Sequence, residues 1–186
     1  IDKASIKEWK EGDLLLLSGK LLTARDGAHK KIADLLKKGE SLPKEINFKN
    51  KFIYYVGPVN AVRNEVIGPA GPTTATRMDQ FMEMMLGELG IIGTIGKAER
   101  GEEAIHTIKK YESVYLSAVG GAAYLVSKAI TSSKVVAFPE LGMEAIYEFE
   151  VKDMPVMVSV DSQGKSIYSE APSRWKNKSI PLKLSS

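Results

Sequence analysis

Residues 91–138 read IIGTIGKAERGEEAIHTIKKYESVYLSAVGGAAYLVSKAITSSKVVAF. Ile91–Ile95 fits a short strand. Glu102–Lys110 fits a helix with Ala104, Ile105 and Ile108 on one face. Ser113–Ala118 reads as a second strand, Gly120-Gly121 opens a helix to about Ile130, and Lys134–Phe138 reads as a third strand. Strand and helix alternating at this spacing predict parallel α/β layering.

Upstream the same alternation holds. Asp13–Ser18 (DLLLLS) is an apolar run between Gly12 and Gly19 and predicts a buried strand. Arg25–Lys38 predicts an amphipathic helix with Ala28, Ile32, Leu35 and Leu36 inward, stopped by Gly39. Phe52–Val56 predicts a strand, closed by Gly57-Pro58. The turn Gly68–Pro72 opens onto Thr73–Leu89, where Met78, Phe81, Met82, Met85, Leu86 and Leu89 keep helical spacing until Gly90. The methionines read as core filler.

Downstream of Pro139 the pattern changes. Ala145–Val151 and Pro155–Val160 predict two adjacent strands, and Asp161–Gly164 a turn into a further strand, Lys165–Tyr168. The division is an N-terminal extension (1–12), one domain (13–170) and a basic tail (171–186), peripheral or a docking arm. One domain agrees with 186 residues, since ~100–200 residues per domain is usual. The chain begins at Ile1, without Met and without an apolar signal core, which reads as a processed chain or a fragment.

Composition narrows the chemistry. A 44% hydrophobic and 26% charged chain is an ordinary globular sequence, and no apolar run is long enough for a membrane span. A formal charge of +3 is mild for a nucleic-acid binder, and exposed aromatics do not interleave its basic residues. There is no cysteine, which excludes disulfides, thiolate metal sites, a Cys nucleophile and a self-held iron–sulfur cluster. With two histidines, His29 and His106, a three-His metal site is also excluded, and no metal ligands are assigned. Chains without disulfides suit the cytoplasm.

Three places carry cations where anions bind. Gly71-Pro72-Thr73-Thr74-Ala75-Thr76-Arg77 leads a turn into a helix, whose free amides attract carboxylate or phosphate. Thr73 or Thr74 can cap it and Arg77 can grip a carboxylate over the same end; a plain capped helix with an exposed Arg fits as well. Arg25-Asp26-x-x-His29 is either an anion-binding, proton-relaying cluster or a capping Asp, a surface Arg and a half-buried His. Lys97 follows a strand at its carboxyl end, where ligands of α/β sheets gather; a solvated loop Lys reads equally well. His106, among charged neighbours, reads as surface.

Thr23–His29, Gly71–Asp79, Gly96-Lys97 and Pro139-Glu140-Leu141-Gly142-Met143-Glu144-Ala145-Ile146 occur in this order. Together, over roughly residues 10–170, they resemble the β region of class I, iron–sulfur-dependent fumarate hydratases and the related L-tartrate dehydratases. The resemblance implies an α/β fold of the swivelling β/β/α type. It implies an α subunit whose cysteines hold a [4Fe–4S] cluster, with this chain as the β subunit that cannot assemble the cluster alone, and an assembly of two α and two β chains. It assigns Arg25, Arg77 and Lys97 to the carboxylates of a dicarboxylic acid, Thr73 to proton abstraction beside a carboxylate, and supporting roles to Asp26 and His29.

The activity implied is reversible hydration of fumarate to L-malate, with L-tartrate dehydration as the alternative. A non-catalytic anion-binding or assembly domain is a third possibility, disfavoured by four anion-directed groups. The chain departs from the family in two places. Ala98-Glu99-Arg100 stands where single-chain fumarases usually have Gly-Asn-Arg, and Tyr147 stands where many members have Trp.

Overall fold

The computed structural model describes residues 2–59, 61, 65–118 and 123–169. Gly120-Gly121 and the tail 171–186 lie outside them. In chain order come helix α1 (Lys3–Lys7), strand β1 (Leu14–Thr23), helix α2 (Asp26–Lys37) and strand β2 (Phe52–Tyr54). A 3-10 helix (Ala75–Phe81) and a π-helix (Met84–Glu88) follow, then β3 (Gly93–Gly96), α3 (Glu102–Lys110) and β4 (Val114–Ala118). The last elements are α4 (Ala123–Ala129), β5 (Ile130–Ala137), a 3-10 helix (Pro139–Glu144) and β6 (Ile146–Val160).

Strands β1, β2, β3 and β4 run parallel, and the 15-residue β6 runs antiparallel to β1, β4 and β5. The order β1-β2-β3-β4-β6-β5, with β1 also bonded to β6, closes five strands into a ring and leaves β5 attached to β6. Closure gives the sheet an inside and an outside, and the period of two sorts side chains between them. Phe52, Tyr54 and Val56 join Leu17, Leu21, Leu116, Phe149, Val156 and Val158 in the enclosed core. Ile53 and Tyr55 face the other way and pack with Ala28 and Ile32 of α2, Met78, Met82 and Met85, and Ala104 and Ile108 of α3. These methionines are the core filler their spacing predicts. Ile6 of α1 is buried in the enclosed core, and Trp9 stacks on Phe52.

Five local expectations are corrected. The DLLLLS run is buried on one face only: Leu17 is buried, but Leu14 and Leu16 are 76% and 67% exposed, and the strand continues to Thr23. Residues 73–89 are not one α-helix. The Ala75 amide is bonded to Lys97 O outside the helix, three-residue steps bury Ala75 and Met78, and the wider π-turn then buries the neighbours Met85 and Leu86 together. The strand after α4 starts at Ile130 and pairs antiparallel with β6, so the parallel order stops at β4.

The two strands predicted over 145–160 are one. Asp153, at φ 52°, reads as a turn residue, yet its amide donates to Ser18 Oγ at 2.9 Å across a bulge in β1, and the ladder carries on. The Asp161–Gly164 turn forms, with Asp161 Oδ1 accepting from the Gln163 and Lys165 amides. Only Ser166 then bridges to Val160, and a helical turn replaces the predicted strand 165–168. Among the described residues no helix is long and apolar enough to cross a membrane.

Candidate active site

Because β1, β2 and β3 are parallel, their carboxyl ends share one edge, and the chain leaves them at Arg25, Gly57 and Lys97. The segment Pro72–Ala75 is stitched across that edge. The Thr73 amide donates to Tyr55 O (2.7 Å), Lys97 N to Thr73 O (3.1 Å) and Ala75 N to Lys97 O (3.0 Å). Gly96 permits the close approach: a Cβ there would lie 3.0 Å from the Tyr55 ring, 3.1 Å from Ala75 Cβ and 3.3 Å from Thr73 O. The backbone thus holds Thr73 beside Lys97, at the edge where α/β sheets bind ligands.

Neither helix start is capped as predicted. Thr74 is the N-cap residue of the 3-10 helix but makes no side-chain capping bond, and the amides of Thr73 and Ala75 are already used by Tyr55 and Lys97. What this segment presents to an anion is therefore side-chain charge rather than a free helix end. Arg77, one turn on, pairs with Asp26 at 2.7 Å. Asp26 is the first residue of α2, not its cap. Half-exposed pairs of this kind stabilise by about 0–1 kcal/mol, so this contact matters for orientation.

Arg25, two residues past the end of β1 and the N-cap residue of α2, sets its guanidinium against Gly57, where a Cβ would overlap Nη1. Its Nη2 lies 3.5 Å from Glu144 Oε1, and Glu144 Oε2 accepts the Gly27 amide at 2.8 Å. His29 is fully buried, stacked on Phe81 and edge-on to Tyr55. Its Nδ1 donates to the Arg25 carbonyl at 2.7 Å. Burial pushes its pKa down to about 4, against the opposing pull of that carbonyl and of Asp26. Of the two readings of the motif, a proton relay or a half-buried ring, the second is corrected in degree: His29 is fully buried, and its neutral ring fixes the backbone under Arg25.

Beneath the edge lies Arg100, whose side chain is completely buried. Its Nε is 2.7 Å from Asp79 Oδ1, and its Nη1 donates to Tyr55 Oη (3.3 Å). The guanidinium sits between the Tyr55 and Tyr115 rings, 5.4 and 5.2 Å from their centroids. Asp79 Oδ2 also accepts the amide of Gly101, the N-cap of α3. One ion pair thereby ties the helix that carries Arg77 to the loop that carries Lys97. Sequence reasoning gave Arg100, Asp79 and Glu144 no role. Asp79 and Glu144 lie within the quoted motifs, and Arg100 follows Gly96-Lys97 at the position where the resemblance keeps an arginine.

The structure thus brings Arg25, Asp26, Thr73, Arg77 and Lys97 to one edge, puts His29 behind it, and leaves His106 exposed on α3. Lys97 is exposed and has no ion-pair partner among the described residues. Two cavities, of about 250 Å³ and about 490 Å³, lie elsewhere, beside Leu17–Leu21 and beside Val66–Pro69. Among the described residues no group of three or more His, Asp or Glu could hold a metal ion.

The family described as "Fumarase C-terminus" matches residues 1–171. The chain belongs to that family. It is 37% identical over 173 residues to fumarate hydratase 2 of Leishmania major, covering 91% of this chain and 30% of that protein. It is 35% identical over 168 residues to the aerobic class I fumarate hydratase of Escherichia coli K12, covering 90% and 30%. The chain thus spans under a third of those fumarate hydratases. Another member, a putative L(+)-tartrate dehydratase subunit beta of Methanocaldococcus jannaschii, is 38% identical over 189 residues, covering 99% of this chain and 93% of that protein. These relatives carry the names of fumarate hydratases and of a tartrate dehydratase subunit, and this chain shares their family region.

Proposed function

We propose that this chain is the β subunit of a cytoplasmic, [4Fe–4S]-dependent hydro-lyase that hydrates fumarate reversibly to L-malate. The observation that carries this is the gathering of Arg25, Thr73, Arg77 and Lys97 along the carboxyl ends of β1–β3 in a fumarase-family chain. A [4Fe–4S] cluster needs thiolates, and this chain has no cysteine, so its residues do not fit that group. The cluster is assigned to a cysteine-bearing α subunit, against which this domain would swivel in an assembly of two α and two β chains.

The chain's own part is electrostatic. Arg25, Arg77 and Lys97 hold the two carboxylates of the substrate. In the malate-to-fumarate direction Thr73 takes the proton from the carbon next to one of them, negative charge builds on that carboxylate, and the hydroxyl on the adjacent carbon then leaves as the double bond forms. Arg77 and Lys97 stabilise this charge more than the ground state, which is what accelerates a reaction. A threonine hydroxyl is a weak base, and nearby cations must lower its pKa for the role. Asp26 holds Arg77 in place and His29 holds Arg25.

Reconstitution tests the reading. Alone the chain should be inert. Mixed anaerobically with a cluster-loaded α partner, it should consume fumarate, followed by ultraviolet absorbance, and Arg77→Ala or Lys97→Ala should cost about 10²–10³ in turnover. Hydration by the isolated chain, or none with a competent partner, overturns it. The end-to-end likeness to the tartrate dehydratase β subunit supports a second reading, L-tartrate dehydration to oxaloacetate. Turnover of tartrate with none of malate selects that one.

A further inference from the structure

We propose that Glu144 is a positioning residue for substrate binding, aiming the Arg25 guanidinium from across the fold. This rests on the reading that Arg25 grips a substrate carboxylate. The two residues are distant in sequence, and the contact exists because the 3-10 segment Pro139–Glu144 is fastened against α2. At its far end Glu140 pairs with Lys31, whose ammonium also lies 4.9 Å from the Phe138 ring centroid. At its near end Gly142 turns the chain with φ 57° and ψ −120°, and the Tyr147 hydroxyl donates to the Gly142 carbonyl at 3.3 Å. The Tyr147 amide donates to Thr23 Oγ1 at 3.0 Å, fixing the start of β6 two residues before Arg25.

Glu144 is held between these anchors, and its oxygens divide the work. Oε2 satisfies the Gly27 amide, one of the donors that the start of α2 leaves without an internal partner. Oε1 faces Arg25 Nη2. Residue 27 must be glycine for this, since a Cβ there would overlap Oε2. On the other side the guanidinium packs on Gly57, and His29 holds the Arg25 carbonyl. The Arg25 side chain is therefore confined between a carboxylate and a glycine. Its Nε has no hydrogen-bond partner among the described residues. Glu144 engages one corner of a five-donor group and leaves donors for a ligand.

In the complex with the cluster-bearing subunit, Glu144→Gln keeps an acceptor for the Gly27 amide and removes the charge facing Arg25. For whichever dicarboxylate the complex turns over, KM should rise roughly tenfold with kcat within about threefold, because binding is lost before chemistry. Thermal stability should hardly move. Gly27→Ala, which displaces the carboxylate without altering charge, should raise KM in the same direction.

The decisive comparison is with Arg25→Ala. If Glu144 acts through Arg25, adding Glu144→Gln to Arg25→Ala changes KM no further. Additive effects in the double variant, or a lowered melting temperature with KM unchanged in Glu144→Gln, overturn the proposal while leaving Arg25 as a carboxylate ligand. An unchanged KM in Arg25→Ala removes the carboxylate reading of Arg25 itself, and this proposal with it.

Discussion

The enclosed core of the strand ring and the layer beneath the cationic edge are both buried, yet different forces hold them. Inside the ring Phe149, Val156 and Val158 are at most 1% exposed and surrounded by other apolar side chains. Their burial stabilises without directional demands. Beneath the edge Arg100 and His29 are as deeply buried, but each keeps a nitrogen, Nη2 and Nε2, without a hydrogen-bond partner among the described residues. Burying polar groups incompletely satisfied costs stability. The ring makes the domain fold, and the polar layer fixes where Thr73, Arg77 and Lys97 stand.

The most severe way to break this comparison is to remove one member of the buried pair. Asp79→Ala should leave the Arg100 guanidinium buried without its counter-charge and free the Gly101 amide. The expected loss is about 3–5 kcal/mol, read as a fall in the urea midpoint. The pair Asp79→Leu with Arg100→Met should recover most of that stability, because replacing both charges by apolar groups removes the desolvation penalty as well. Turnover with the proposed α partner should not recover, since the Arg77 helix and the Lys97 loop are no longer tied. A single variant within 1 kcal/mol of the parent would show that the layer is held by something other than this pair.

The next effect is a pH dependence. Burial pushes the His29 pKa from 6.5 to about 4. Between those values the unfolded chain binds a proton at this residue and the folded chain does not, so stability rises with pH across the window. Above pH 6.5 the neutral ring contributes its full share, and below about 4 both states are protonated and the dependence ends. The swing is on the order of 3 kcal/mol. Urea unfolding from pH 4.5 to 7 should show it, and His29→Gln should flatten the curve relative to the parent. Parallel curves would mean that the ring titrates normally and is open to solvent.

These residues show what the sequence carries and what it does not. Helix α3 follows its expected bounds because its apolar spacing and its Gly101 start are local features. Residues 73–89 are legible as helical, but over so short a stretch apolar steps of three and four fit 3-10, α and π turns alike, and the sheet edge decides among them. Asp153 mimics a turn because its conformation is turn-like; the Ser18 bulge opposite it is what keeps β6 continuous. The five groups on the edge could be named as candidates from motifs. Glu144 and Arg100 could not be given partners, because Glu144 meets Gly27 at a separation of 117 residues and Arg100 meets Tyr55 at 45. Spacing along the chain says nothing about contacts that only sheet closure creates.

The smallest expected effect lies in the loop that carries Lys97. Ala98 has φ 63°, a left-handed conformation that costs an L-residue about 1–2 kcal/mol. The conformation is held because the Tyr115 hydroxyl donates to the Ala98 carbonyl at 2.8 Å and Thr76 Oγ1 donates to Glu99 O at 2.9 Å. The resemblance implies glycine at this position in single-chain fumarases, and glycine reaches the conformation without a Cβ penalty. Ala98→Gly relieves that strain but gives the unfolded chain more freedom, so the net gain should be about 0.5–1 kcal/mol, a small rise in melting temperature. The same substitution should leave KM unchanged, because the bonds that hold Lys97, to Thr73 O and from Ala75 N, are backbone bonds outside residue 98. A loss of stability would mean that the alanine methyl makes a contact worth more than the strain. A shifted KM would place residue 98 in the binding edge itself, and the boundary between the polar layer and the ligand surface would move one residue further into the loop.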